Sequence, residues 1–138
     1  DTGAVEIEQF HMVDDCGTVI NPLLAEGQVE GGVAQGIAQA LFEEMIYSDD
    51  GQPLTSTLVD YLAPSAADIP ELTSIGRTTT VTPHNTLGAK GIGESGAIGA
   101  PPAVINAVVD ALSGFGVKHV EMPATPQKIW NLMNGREG

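Results

Sequence analysis

The sequence predicts an α+β fold in which strand and helix candidates alternate along a single chain of 138 residues. Two short stretches carry the alternating or β-branched pattern of strands, and one long stretch carries apolar residues at the four-residue spacing of a helix. No internal repeat or low-complexity tract interrupts this order. With 42% hydrophobic residues, a chain of this length can build one modest core, so residues 1–138 are interpreted as a single domain.

The strand candidates lie at both ends and in the middle of the chain. Residues 4–13 alternate between polar and apolar side chains and change phase near Gln9, which predicts a strand with a bulge. Residues 71–81 are rich in β-branched side chains and predict a second strand. A third short strand is predicted at 117–122, and a short extended piece within 54–61.

Three helix starts are predicted from proline and its preceding residue. Asn21-Pro22 supplies an N-cap and a first helical residue for a helix that reaches about Ile46. Pro101-Pro102 marks the start of a second helix, and Thr125-Pro126 caps a third.

The long helix carries an unusual number of glycines. Four of them cost about 3 to 4 kcal/mol of helix propensity relative to alanine, so a compensating interaction is expected. A smooth row on one helix face comprises Gln28, Gly32, Gly36 and Ala40. The residues alone favour tight packing of the helix against a sheet over ligand contact as the reason for this row.

The most informative segment is Gly88–Gly96, which places four glycines around Lys90 and Glu94. Glycines allow a backbone to approach a ligand closely, and free N–H groups at the start of a following helix favour anions. We expect Glu94, framed by glycines and apolar residues, to be desolvated and to act as a base near neutrality. The alternative is a flexible glycine-rich connection.

Charge and composition exclude several functions. Eighteen acidic residues against five basic ones give a net charge of −13, which argues against nucleic acid and anionic membrane surfaces as partners. No signal peptide or membrane-spanning run is present, and a cytoplasmic location is expected. The three histidines lack metal-ligand spacing, so no protein-ligated metal is predicted. The lone Cys16 is interpreted as a packing residue.

Three ordered motifs together resemble one enzyme family. Asp14–Pro22, Gly27–Gly36 and Gly88–Glu94 are similar to motifs of the molybdenum-binding subunit of the xanthine dehydrogenase and aldehyde oxidase family, closest in look to the large chains of aerobic carbon monoxide dehydrogenases. The resemblance covers essentially the whole chain. It implies a layered sheet-and-helix molybdopterin-binding domain, with this chain as the C-terminal part of such a subunit.

The resemblance also implies a mechanism. A molybdenum atom held by molybdopterin cytosine dinucleotide would oxidise a small substrate, such as carbon monoxide, an aldehyde or an N-heteroaromatic ring, with oxygen derived from water. Glu94 would be the general base on the molybdenum-bound hydroxyl, and Gln28 would lie nearest the metal. The implied cofactor-binding residues are Gln28, Gly31, Gly32, Lys90, Gly91, Ile92, Gly93 and Ser95.

The same resemblance implies partners for electron transfer. An iron–sulfur subunit and an FAD subunit would accept the electrons, and the upstream half of the same subunit would complete the site, so the isolated fragment would be inactive. Cys16 does not stand in the family's copper-binding loop, and nothing in the sequence selects the substrate. The alternative reading is a noncatalytic module that binds a phosphate or nucleotide ligand at Gly88–Gly99, or an assembly module.

Overall fold

The computed structural model describes residues 2–77 and 79–136, and the predicted α+β class is confirmed. The elements in chain order are strand β1 (Phe10–Asp14), helix α1 (Pro22–Leu41), strand β2 (Leu72–Arg77), helix α2 (Ser95–Ala111), a 3₁₀ turn (Ser113–Phe115) and helix α3 (Pro126–Met133).

Helix α1 begins where the sequence predicts and ends earlier. The Asn21 side chain accepts a hydrogen bond from the Leu24 N–H at 3.1 Å, as an N-cap does. The helix ends at Leu41 rather than near Ile46. The backbone of Ile46 is engaged elsewhere, because its carbonyl accepts from the Leu54 N–H at 2.8 Å within a local turn.

Helix α2 begins six residues before the predicted start. The expectation that Pro101-Pro102 opens the helix is wrong, because both prolines lie inside Ser95–Ala111. A proline inside a helix leaves the carbonyl four residues earlier without its usual N–H partner. Here the Pro101 ring packs where Gly36 of α1 has no side chain, which offers a compensating contact. The helix N-terminus therefore follows Glu94 directly.

The sheet is smaller than predicted. Strands β1 and β2 pair in parallel, with a register shift between Met12 and Val13, so an irregularity is present but lies beyond Gln9. Residues 4–9 are not a strand, since no described strand lies beside them to pair with their backbone groups. The predicted strand at 71–81 is observed as Leu72–Arg77, and residue 78 lies outside the described residues.

Two further predictions of extended structure are wrong. Residues 117–122 and 54–61 contain no strand, although Pro53 forms an isolated bridge with Tyr47. The segment at 117–122 is fixed by packing instead, because Val120 is buried and the Ala124 N–H donates to the Ala40 carbonyl at 2.7 Å.

The core lies between α1 and α2, and glycine makes their close approach possible. A Cβ on Gly36 would lie 2.6 Å from the Ala100 Cβ, and one on Gly96 would lie 2.5 Å from the Val29 carbonyl oxygen. A Cβ on Gly32 would meet the Gly96 Cα at 3.1 Å. Tight packing of the glycine row is therefore confirmed, but the predicted partner is wrong, because the row packs against helix α2 and not against a sheet.

Helix α3 matches its prediction and closes the core from one side. The Thr125 hydroxyl accepts from the Lys128 N–H at 3.3 Å, and Ile129 is buried. Lys128 also pairs with Glu44 at 3.3 Å. Within the described ranges, no helix combines the length and apolar character needed to cross a bilayer.

Candidate functional site

The glycine loop Gly88–Gly96 is bound to the turn that follows β1. The Gly88 carbonyl accepts hydrogen bonds from the N–H groups of Thr18 at 3.1 Å and Thr82 at 3.2 Å. The Lys90 N–H donates to the Cys16 carbonyl at 2.8 Å. Two motifs that lie more than sixty residues apart in sequence thus form one backbone unit.

Two glycines make this backbone contact possible. Gly17 and Gly88 have φ angles of 63° and 69°, in the left-handed region that favours glycine. A side chain on Gly17 would also collide with the Gly88 carbonyl oxygen. The turn and the loop can therefore meet only with glycine at these positions.

The Asp15 carboxylate joins three segments at this contact. One oxygen accepts from the Gly17 N–H at 2.9 Å and the Thr80 N–H at 3.1 Å, and the other pairs with the Lys90 ammonium at 2.9 Å. These contacts hold the pKa of Asp15 well below its ordinary value of 3.8. The hydrogen bond from the Gly17 N–H has the largest effect, followed by Lys90 and then Thr80. Asp15 thus caps an N–H group of its own turn and also links that turn to Lys90, a contact that the sequence analysis did not predict.

The third motif meets the loop through Gln28. Its side-chain amide nitrogen donates to the Gly93 carbonyl at 3.2 Å, from an exposed position on α1. The structure therefore brings Gln28 to the residue directly before Glu94, as expected if both residues line one site.

The loop and α1 leave backbone accessible on the face beside Gln28. A Cβ on Gly91 or on Gly31 would meet nothing within 4 Å, and one on Gly93 would meet only the Gln28 amide nitrogen, at 3.7 Å. Gly32, in contrast, is buried beneath α2. The open glycines provide room for a ligand to approach main-chain groups.

Ile92 and Ser95 lie at the inner side of the loop. Ile92 is half-buried and packs against the core, while the Ser95 hydroxyl donates to the Ile92 carbonyl at 3.3 Å. These contacts fix the end of the loop on the first turn of α2. The Ser95 N–H donates to the same carbonyl at 3.3 Å, so both hydrogen-bond donors of Ser95 are engaged within the chain.

Glu94 occupies the N-cap position of α2 without capping it. Its carbonyl accepts from the Ile98 N–H at 3.0 Å, but its side chain makes no capping hydrogen bond. The expectation that this chain desolvates Glu94 is wrong, because the side chain is exposed and no described residue covers it. The Glu94 side chain is instead accessible at the surface of this chain.

The described residues offer hydrogen-bonding groups rather than a metal-ligand cluster at this site. No group of three or more His, Cys, Asp or Glu side chains among them could hold a metal ion. Cys16 is a buried free cysteine, as predicted. Open glycine backbone, one amide and one carboxylate suit a ligand that is held by hydrogen bonds and brings its own chemistry.

Comparisons with known proteins agree with the motifs. Residues 1–70 match the family described as the molybdopterin cofactor-binding domain. The chain is 45% identical over 134 residues to the nicotine 6-hydroxylase large subunit of Paenarthrobacter nicotinovorans, covering 97% of this chain and 16% of that protein. It is 41% identical over 132 residues to the carbon monoxide dehydrogenase large chain of Hydrogenophaga pseudoflava, covering 96% and 16%.

A solved structure shows the same arrangement of the backbone. Quinoline 2-oxidoreductase from Pseudomonas putida 86 matches with a TM-score of 0.93 and 45% identity, over 98% of this chain and 17% of that one. The chain thus spans about one sixth of the length of the curated relatives it matches. It belongs to the molybdopterin cofactor-binding domains found in the molybdenum-binding large subunits of the xanthine dehydrogenase and aldehyde oxidase family.

Proposed function

We propose that this chain is the part of a molybdenum hydroxylase that binds the molybdenum cofactor and supplies Glu94 as general base. The observation that carries the proposal is the hydrogen bond from Gln28 to Gly93, next to Glu94, beside the open glycines of the loop. An amide donor, accessible backbone and a carboxylate thus lie together at the N-terminus of α2.

We propose that the open face holds a cofactor with a phosphate-bearing tail. The cofactor, proposed to be molybdopterin cytosine dinucleotide, supplies the metal that accepts two electrons and activates water. The residues proposed to contact it remain Gln28, Gly31, Gly32, Lys90, Gly91, Ile92, Gly93 and Ser95. Lys90 and Gly32 are the most restricted of these, because Lys90 pairs with Asp15 and Gly32 is buried under α2.

Glu94 is proposed to accept the proton of the water-derived oxygen as that oxygen attacks the substrate carbon. Its exposure in this chain leaves its carboxylate accessible to such a reactant. Covering the site from water would then fall to other parts of the complete subunit.

The substrate is proposed to be small and oxidised at carbon: carbon monoxide, an aldehyde or an N-heteroaromatic ring. The named relatives act on nicotine and carbon monoxide, which span two of these classes. Iron–sulfur and FAD subunits are proposed as the electron acceptors, with the remaining parts of the same subunit as structural partners.

The test is the molybdenum content of the complete subunit, purified with its partners from a host that makes the cofactor. Elemental mass spectrometry should give molybdenum in stoichiometric amount with the subunit, and acid release should give the cytosine nucleotide. An intact, folded complex that contains no molybdenum would contradict the proposal. That outcome would favour a noncatalytic module that binds a phosphate or nucleotide ligand at the glycine loop.

A further inference from the structure

We propose that Asp15 is a positioning residue for Glu94. Asp15 binds Lys90 and thereby fixes the position of the glycine loop that leads into Glu94 and α2. The inference rests on the proposed role of Glu94 as general base. Asp15 itself lies in the turn after β1 and need not touch substrate or cofactor to act in this way.

The first support is that three separate segments converge on one carboxylate. Asp15 accepts from Gly17 in its own turn at 2.9 Å, from Thr80 after β2 at 3.1 Å, and pairs with Lys90 of the loop at 2.9 Å. Removing the charge of Asp15 would therefore release the Lys90 side chain. The N–H groups of Gly17 and Thr80 would keep their acceptor oxygen.

The second support is where the loop is held. Lys90 is held through both its backbone and its side chain, because its N–H donates to the Cys16 carbonyl at 2.8 Å and its ammonium pairs with Asp15. Beyond Lys90, the next described hydrogen bond between the loop and another segment is the one that Gln28 donates to the Gly93 carbonyl. The path of the backbone into Glu94 thus depends on Lys90 on one side and Gln28 on the other.

The third support is electrostatic. The three contacts keep the pKa of Asp15 well below its ordinary value, so the carboxylate stays charged at any pH at which the enzyme would work. In a chain with a net charge of −13, Lys90 is one of only five basic side chains, and it is committed to this pair. Asp15 therefore stays available as the partner of Lys90 and does not act as a pH switch.

A partly exposed ion pair such as that of Lys90 with Asp15 contributes little to the free energy of unfolding. The side chains of Lys90 and Asp15 keep 34% and 25% of their surface accessible. A purely structural role would therefore leave turnover and loop dynamics nearly unchanged when the pair is broken. A positioning role would change turnover more than stability, because small displacements of a reacting group are costly to rate.

The test is Asp15→Asn in the complete cofactor-loaded subunit. Asparagine keeps an oxygen for Gly17 and Thr80 but loses the charge that holds Lys90. We expect kcat to fall roughly tenfold to a hundredfold, with KM, molybdenum content and melting temperature close to wild type. Hydrogen exchange of the peptide that spans residues 88–94 should become faster. Lys90→Met, which breaks the same ion pair, should speed the hydrogen exchange of residues 88–94 to a similar extent.

The second described ion pair provides the matched control. Glu44 pairs with Lys128 at 3.3 Å with similar exposure, on the α3 side of the molecule. Glu44→Gln should leave kcat and the exchange of residues 88–94 unchanged. Equal effects of Glu44→Gln and Asp15→Asn would overturn the proposal, as would an unchanged kcat and unchanged exchange in Asp15→Asn, or a loss of turnover that merely follows a loss of molybdenum.

The two proposals fail in distinguishable ways. If the wild-type complex contains molybdenum but Glu94→Gln turns over normally, the base assignment fails, and the positioning role that rests on it fails with it. If Glu94→Gln is inactive while Asp15→Asn matches wild type in kcat and loop exchange, only the positioning role of Asp15 is overturned.

Discussion

The side-chain amide of Gln28 donates to the Gly93 carbonyl at 3.2 Å, which ties the first turns of α1 to the residue directly before Glu94. The contact spans 65 positions of sequence. It joins two of the three motifs that identify the family, and the backbone contacts of Cys16 and Thr18 join the third. The family motifs are therefore neighbours in space.

Replacing Gln28 should impair catalysis more than folding. In Gln28→Ala, kcat/KM should fall roughly tenfold because the loop loses its link to α1, while the free energy of unfolding changes by no more than about 1 kcal/mol at this exposed position. Turnover should be measured at matched molybdenum content. Gln35→Ala, an exposed glutamine on the same helix, is the control and should behave as wild type. Equal turnover in both variants would refute the importance of the contact.

Two glycines of α1 should respond in opposite directions to alanine. Gly36→Ala should destabilise the protein by about 1 to 3 kcal/mol, because its Cβ would lie 2.6 Å from the Ala100 Cβ. A Cβ on Gly27 would meet nothing within 4 Å, so Gly27→Ala should stabilise the protein by up to about 1 kcal/mol through helix propensity. Thermal unfolding of both variants in the same background measures the difference. Similar melting temperatures for the two would contradict the packing account.

Acid should abolish the stability difference between wild type and Asp15→Asn. The folded-state pKa of Asp15 is lowered, so its contribution is fully present above the ordinary value of 3.8 and is lost as pH falls below that value toward the lowered pKa. The melting temperatures should therefore differ only slightly, by a constant amount near neutrality, and this small difference should vanish as the pH falls below about 4. Curves that converge instead between about pH 5 and pH 7 would point to a different titrating group.

Local sequence signals predicted the helix starts well when nothing distant competed with them. Asn21 and Thr125 cap α1 and α3 as expected, since each needs only an N–H two or three residues ahead. Pro101 was misinterpreted as a start because the contact that accommodates it inside α2 comes from Gly36, far away in sequence. The end of α1 similarly depends on the Ile46 and Leu54 backbones.

The site was predicted by motif resemblance rather than by spacing. That resemblance linked Gln28 to the glycine loop, and the hydrogen bond to Gly93 agrees with it. The pairing of Asp15 with Lys90 carries no sequence signal, because a charge pair 75 positions apart has no periodicity. The exposure of Glu94 was mispredicted because its immediate glycine and apolar neighbours do not determine what covers a side chain in three dimensions.

The most direct test of the account is the rate of substrate-driven reduction of the complete enzyme carrying Glu94→Gln, measured in single turnover by stopped flow. Glutamine keeps the shape of the side chain but cannot accept the proton. The account predicts wild-type molybdenum content and a rate lower by about a hundredfold or more, with Glu26→Gln, an exposed glutamate on α1, reduced at the wild-type rate. An unchanged rate in Glu94→Gln at matched molybdenum content would contradict it.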